Sequence, residues 1–271
     1  MLPRNVLAIR KSLSSEIITS LTSKNSNATL LDYPTGAYTG MRTFDRIGIM
    51  DFTGHTARLA TSLQQIKFSS ATTATTASPT HDDKEDAVVS EGLARLRNQE
   101  TMKKETTDLV QAGLKFYYKQ LRQSLQNGEL TAALEGETKA MEPTLIAHFE
   151  PLKALKESRC KVEVHGAPRQ HATIKDSQWV RDRKEIEVKL DRDTNEALML
   201  DDNQDVYEGL SSNFFAFDRK RQTVLTAPLG SVLLGTMQKV VLNVCSAEKI
   251  PVDFTFPNLK NIDDWEGAFI T

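Results

Sequence analysis

The sequence is poor in cysteine: 271 residues hold only Cys160 and Cys245. Neither belongs to a CxxC pair, and no Cys/His group has zinc-ligand spacing. A disulfide framework and a structural zinc site are therefore excluded as organising devices, and a reducing, cytoplasmic setting is expected. An excess of charge of either sign is also lacking. Lys and Arg number 34 against 36 Asp and Glu, a formal net charge of −2. That argues against a basic nucleic-acid binder and leaves small anionic ligands to local groups. No apolar run approaches the ~20 residues that a bilayer-crossing helix needs, so no membrane partner is expected. What is present, 39% hydrophobic and 26% charged residues, is the balance of an ordinary globular chain. At roughly 150 residues per domain it holds one or two domains, with core enough to need no staple.

Along the chain, apolar residues at near-helical spacing predict a helix over Val6–Leu21. Its surroundings carry Arg4, Arg10 and Lys11 and no acid before Glu16. We read this stretch as the first amphipathic helix of the domain; a weak mitochondrial or plastid transit signal is the alternative. Leu30, Leu31 and Ala37–Phe44 read as extended, interrupted by the turn Pro34–Thr35–Gly36. Arg46 and Gly48 suggest a hairpin, and a helix runs from near Thr53 through Leu63. The stretch 69–86, SSATTATTASPTHDDKED, has little apolar bulk and reads as an insertion or surface loop. Residues 87–125 read as helical, with Leu93, Leu96, Leu109, Leu114, Tyr117 and Leu121 available for burial. Strands follow: Leu145–Phe149, Lys161–His165, Ile186–Leu190 and Ala197–Leu200. Next comes a hairpin of Phe214–Phe217 with Thr223–Thr226, and then a helix from Gly235 to about Lys249. The change of character places a boundary between domains 1–142 and 143–271.

Four segments carry chemistry. Glu208–Gly209–Leu210–Ser211–Ser212–Asn213–Phe214–Phe215 follows a strand and a turn. Leu234–Gly235–Thr236–Met237–Gln238 opens the last helix. Gly36–Ala37–Tyr38–Thr39–Gly40–Met41–Arg42–Thr43–Phe44 and His55–Thr56–Ala57–Arg58–Leu59–Ala60–Thr61–Ser62 lie upstream. In this order they resemble the signatures of the class IV aminotransferases, the fold-type IV pyridoxal-phosphate enzymes. These comprise branched-chain and D-amino-acid aminotransferases and aminodeoxychorismate lyases. The resemblance covers nearly the whole chain apart from 69–86 and the helical stretch after it. It implies a two-domain α/β (α+β) fold, with a small N-terminal α/β domain and a larger, barrel-like C-terminal β domain with helices. It also implies pyridoxal 5′-phosphate as cofactor, amino-acid and keto-acid substrates, and a homodimer whose second subunit completes a site between the domains.

The cofactor needs a lysine amine to bond its aldehyde. Lys175, 33 positions before Glu208, matches the family position, whereas Lys161, Lys184 and Lys189 lie in charged segments and read as solvated. Glu208 would pair with the pyridine nitrogen and keep the ring cationic; alone, it would read as a strand-end acid. Arg58 and the helix start at Gly235, Thr236 and Met237 would hold the phosphate. Taken singly, Arg58 also reads as a surface ion pair and Gly235 as a plain turn. Ser211, Ser212 and Asn213 would tie down the loop that carries Glu208 and reach the cofactor, though such residues are common in ordinary turns. Tyr38 matches a substrate-facing position and Arg42 lies further along the same strand face; both read equally as core-edge packing. No histidine is assigned to catalysis, and Trp179 reads as core.

Three departures from the family pattern stand out. Gln238 occupies the place of the usual Arg of the second signature. The segment after Lys175, DSQWV, lacks the Asn or Tyr of the branched-chain and lyase groups. The sequence stops after WEGAFIT, where the family continues into a phosphate-binding turn. The resemblance thus predicts a truncated chain, less stable than a full-length relative. The favoured activity is amino transfer, with Lys175 as the base that moves the substrate α-proton. A lyase and a catalytically inactive homologue are the rivals.

Overall fold

A computed structural model describes residues 5–68, 91–124, 143–152 and 159–271. The insertion expected at 69–86 lies outside the described residues. The chain divides into two compact units, Met1–Ala154 and Leu155–Thr271. The division falls after the strand Leu145–Phe149 rather than before it, and the first unit is the longer of the two.

In the first unit, β1 (Asn5–Arg10) pairs antiparallel with β2 (Ile18–Thr22). This corrects the helix expected over Val6–Leu21. Val6 and Ala8 are fully buried, while Leu7 and Ile9 between and beyond them are only half-buried. That is the period of a strand, not of a helix. The Ser-rich stretch between the strands then turns. Ser15 Oγ donates to the Ser12 carbonyl at 2.9 Å and accepts from its N–H at 3.0 Å, local bonds that compete with helix continuation.

The short helix α1 (Ser26–Leu31) replaces the extended structure expected at Leu30 and Leu31. Asn25 caps it, its Oδ1 accepting from the Ala28 N–H at 2.8 Å. The hairpin expected at Arg46 and Gly48 joins β3 (Thr43–Phe44) to β4 (Gly48–Ile49). The extended stretch expected from Ala37 forms a strand only at that end. Next come α2 (Phe52–Gln65), started by Asp51, and then α3 (Glu91–Leu96) and α4 (Gln99–Ser124). The strand β5 (Leu145–Phe149) closes a three-stranded sheet of order β2-β1-β5. Ala60 and Leu63 of α2 share a core with Leu96 and Met102. Arg10 on β1 reaches across to an ion pair with the buried Glu105 of α4.

In the second unit, β6 (Val162–Val164) runs parallel to β7 (Glu196–Leu200), and the connection between them carries α5 (Gln178–Asp182) and α6 (Lys184–Glu187). The second helix corrects the strand expected over Ile186–Leu190. The N–H groups of Glu187 and Val188 return to the carbonyls of Arg183 and Lys184. Val188 stands 80% exposed, while Ile186 and Leu190, four apart, pack on the core of Ala197, Met199 and Leu210, the spacing of a helix rather than a strand. Every residue of β7 is buried, and β8 (Val206–Gly209) pairs antiparallel with it.

The hairpin of β9 (Phe214–Asp218) with β10 (Thr223–Thr226) and the helix α7 (Thr236–Ala247) lie where the sequence places them. β11 (Val252–Asp253), a 3-10 turn at Leu259–Asp264 and β12 (Trp265–Ile270) complete a sheet of order β11-β10-β9-β12. Leu198, Leu200 and Val206 of one sheet pack with Phe214, Ala216 and Leu225 of the other. The opposite face of β9 and β10 packs Phe215 and Val224 on Cys245 of α7. Among the described residues no helix is long and apolar enough to cross a membrane.

Candidate active site

Strand β8 carries Glu208 into the interior, where the residue is 5% exposed. Its Oε1 accepts from Arg169 Nε at 2.8 Å and its Oε2 from the Leu233 N–H at 3.2 Å. Burial is the strongest influence on this carboxyl and pushes its pKa up. The charge and hydrogen bond of Arg169, the Leu233 N–H and the charge of Lys175 pull it back. Arg169 is itself pinned: Nη1 donates to the Ile174 carbonyl at 3.3 Å and Nη2 to that of Ala172. Its guanidinium stands 5.5 Å from the Trp179 ring centroid. The same residue therefore neutralises Glu208 and folds the Ala172–Ile174 turn that delivers Lys175.

Lys175 is half-buried on that turn. Of the four lysines weighed from the sequence, it is the one whose charge acts on Glu208. Lys161 is engaged by Asp191 at 2.9 Å and Asp193 at 2.8 Å, and Lys184 and Lys189 are exposed.

The turn after Glu208 is held from below. Ser211 Oγ and Ser212 Oγ both donate to Glu196, at 2.9 and 3.0 Å, so the structure shows these serines fastening the turn. Gly209 has a steric reason: a Cβ there would lie 2.4 Å from Ser212 Oγ and 2.8 Å from Glu196 Cγ. Asn213 faces the other way and its Nδ2 donates to the Leu233 carbonyl at 2.8 Å. The Leu233 peptide is thus gripped at its N–H by Glu208 and at its C=O by Asn213, on either side of the turn. Two residues on, Gly235 makes room for Asn213: a Cβ there would stand 2.3 Å from Asn213 Oδ1.

Gly235 is also the N-cap of α7 and brings no side-chain acceptor to the first turn at Thr236 and Met237. Gln238 is fully buried, with its Oε1 accepting from the Gly235 N–H at 3.2 Å. An arginine could donate but not accept there. Gln238 Nε2 is buried with no hydrogen-bond partner among the described residues.

The remaining expected residues belong to the first unit. Arg58 Nη2 donates to Thr39 Oγ1 at 3.1 Å and lies 2.8 Å from His55 Nδ1, and burial pushes its guanidinium pKa down. Tyr38 lies within electrostatic reach of Arg58. Arg42 is exposed, and its carbonyl accepts from the Met50 N–H at 3.0 Å.

The family described as amino-transferase class IV matches residues 36–271. The chain belongs to that family. Solved class IV structures share the fold at low identity. A branched-chain aminotransferase from Thermoproteus uzoniensis is 17% identical, with a TM-score of 0.61 over 98% of this chain and 83% of its own. A fold IV transaminase from Curtobacterium pusillum gives 15% and 0.60 over 99% and 88%. A 4-amino-4-deoxychorismate lyase from Pseudomonas aeruginosa gives 14% and 0.56 over 97% and 86%. No curated protein matches the chain.

Class IV aminotransferases use pyridoxal 5′-phosphate, and the second unit fits it. It offers a buried carboxylate backed by a guanidinium, a lysine coupled to that carboxylate, and a helix start that carries no side-chain cap. The Gln238 NH2 group, buried with no partner among the described residues, lies at the same helix start. Sequence reasoning misses Arg169, which pairs with Glu208, and Glu196, which holds the turn after it. A signal for Arg169 exists, since no acid lies between His165 and Asp176 to partner it locally. Trp179 is core, as expected, packing on Ala197, Met199 and Leu210 and donating from Nε1 to the Leu210 carbonyl at 2.7 Å. Trp179→Phe is therefore expected to lower unfolding free energy by about 1 kcal/mol in urea titration, from one buried hydrogen bond left unmade.

Proposed function

We propose that the chain is a pyridoxal-phosphate-dependent transaminase that exchanges an amino group between an amino acid and a 2-keto acid, of branched-chain or D-amino-acid type. The observation that supports this most is the buried Glu208, neutralised by Arg169 with Lys175 in electrostatic reach. When bound, the cofactor supplies an electron sink for the pair released as the substrate loses its α-proton. Glu208 presents a fixed negative charge to the pyridine nitrogen. Lys175 Nζ would hold the cofactor at its aldehyde carbon and would accept the substrate α-proton. The start of α7 takes phosphate through the N–H groups of Thr236 and Met237 and its dipole, with Gly235 allowing close approach, and Arg58 is carried over from the resemblance as a cofactor-phosphate ligand. Ser211, Ser212 and Asn213 keep the Glu208 turn rigid, and Tyr38 and Arg42 are assigned to substrate. A homodimer is the proposed assembly.

The test is borohydride reduction of the purified chain after incubation with pyridoxal phosphate, followed by peptide mass mapping. A visible absorbance band replaced by a pyridoxyl group fixed on Lys175 is the expected result. A label on Lys161, Lys184 or Lys189 instead, or none on the folded chain, overturns the assignment. Amino-donor and keto-acid screening then reads the reaction, and pyruvate released from aminodeoxychorismate would mark a lyase.

A further inference from the structure

Glu196 opens β7 with a carboxylate that makes no ion pair among the described residues, although only 6% of the residue is exposed. Five neutral donors converge on it instead. Oε1 accepts from the N–H groups of Ala197 at 3.0 Å and Leu210 at 3.1 Å. Oε2 accepts from the Ser211 N–H at 3.2 Å, Ser211 Oγ at 2.9 Å and Ser212 Oγ at 3.0 Å. Burying a charge this deeply is costly unless its acceptor capacity is filled. Here it is filled almost wholly by one turn, Leu210–Ser212. That turn joins Glu208 to Asn213, which form a backbone bridge across it. Glu208 and Asn213 are the two residues that grip the Leu233 peptide, the first through its N–H and the second through its carbonyl.

We infer that Glu196 is a positioning residue. Its carboxylate fixes the Leu210–Ser212 turn so that Glu208 and Asn213 hold Leu233 together, which sets the Glu208 carboxylate at a fixed place relative to the start of α7. The inference rests on the proposed function for its purpose, because in that reading Glu208 meets the ring nitrogen and α7 meets the phosphate of one cofactor. Glu196 itself touches neither. A further consequence is that both serine hydroxyls are spent inward on Glu196.

Glu196→Gln keeps the shape but sets an NH2 group against donors that need an acceptor. Two measurements decide the matter. In the chain without cofactor, hydrogen exchange at the Leu233 amide reports the Glu208 contact, and Leu233 makes no bond to Glu196. The expected result is exchange about ten-fold faster at Leu233, with the amides of α4 unchanged. Unchanged protection at Leu233 overturns the inference whatever the cofactor does. In the second measurement, binding of pyridoxal phosphate is compared with binding of its 1-deaza analogue, which carries C–H in place of the ring nitrogen. Glu196→Gln is expected to weaken pyridoxal phosphate about ten-fold and the analogue no more than about two-fold, the pattern also expected of Glu208→Gln. Equal weakening of both makes Glu196 a mere prop of the fold and overturns the inference. If the unaltered chain binds neither compound, the proposed function fails, and the Leu233 exchange still decides whether Glu196 positions Glu208. Should Glu196→Gln not fold, Ser212→Ala removes one of the five donors and is expected to shift both readouts the same way by a smaller factor.

Discussion

Arg169→Met is expected to destabilise the chain by about 3 kcal/mol at neutral pH and by clearly less near pH 5. The side chains of Arg169 and Glu208 are 8% and 6% exposed, so the substitution strands a carboxylate in a medium where an unpaired charge is expensive. Methionine keeps much of the apolar stem, which limits the packing loss. The pH dependence follows from the sign of the shift. Burial already raises the Glu208 pKa above its ordinary 4.5, even with Arg169 in place. A group so shifted binds its proton more tightly folded than unfolded. The stability it carries is complete below the unfolded value and is lost as pH rises through the folded one.

Removing the cation raises the folded value further, so the variant keeps losing stability after the unaltered chain has levelled off. A smaller, pH-independent part comes from the lost hydrogen bonds to Ala172 and Ile174. Urea unfolding of both chains between about pH 5 and pH 8 measures the gap. The gap should widen with pH; a constant gap would mean that Arg169 neutralises something other than Glu208. Because the same guanidinium shapes the turn before Lys175, weaker cofactor attachment should accompany the loss.

This pair also marks where local sequence stops being informative. The order of β9, β10 and α7 is legible because alternation, a charged turn and a glycine before an apolar run are all local signals. So are the motifs that bear Glu208, Lys175 and Gly235. Strand β1 is misread because Val6, Leu7, Ala8 and Ile9 satisfy helical and strand spacing alike. What decides between them is pairing to β2 and β5, a contact with residues far along the chain. Residues 186–190 fail in the opposite sense: alternation is present, but only Ile186 and Leu190, four apart as on a helix face, pack on the core, and Val188 between them is exposed. Arg169 and Glu196 are harder still. A lone arginine and a strand-initial glutamate are ordinary surface residues in sequence. They become site residues only when the fold places them 2.8 Å from Glu208 and under the Leu210–Ser212 turn.

Glu208→Gln should give a loss of similar size, about 3 kcal/mol, with a different pH signature. A buried carboxylate deprived of its cation escapes by taking up a proton, whereas a guanidinium deprived of its anion has no such exit within the accessible pH range. The loss in Glu208→Gln is therefore expected not to grow with pH: it is largest at low pH, shrinks as pH rises through the folded Glu208 value, and is level above it. Glutamine can still accept from Arg169 Nε. Its NH2 group must then face the Leu233 N–H, donor against donor, where the carboxylate accepted. The grip on Leu233 loosens, and the charge offered to the ring nitrogen is gone, so pyridoxal phosphate should bind at least about ten-fold more weakly. The double variant Arg169→Met/Glu208→Gln separates pairing from packing. With both charges gone, neither is stranded, and the double variant should be more stable at pH 7 than the sum of the single losses allows, by about 2 kcal/mol. Simple additivity would show that the two residues are buried side by side without depending on each other. The account of Glu208 as a carboxylate kept charged by Arg169, and hence available to a ring nitrogen, would then have to be abandoned even if both single variants were inactive.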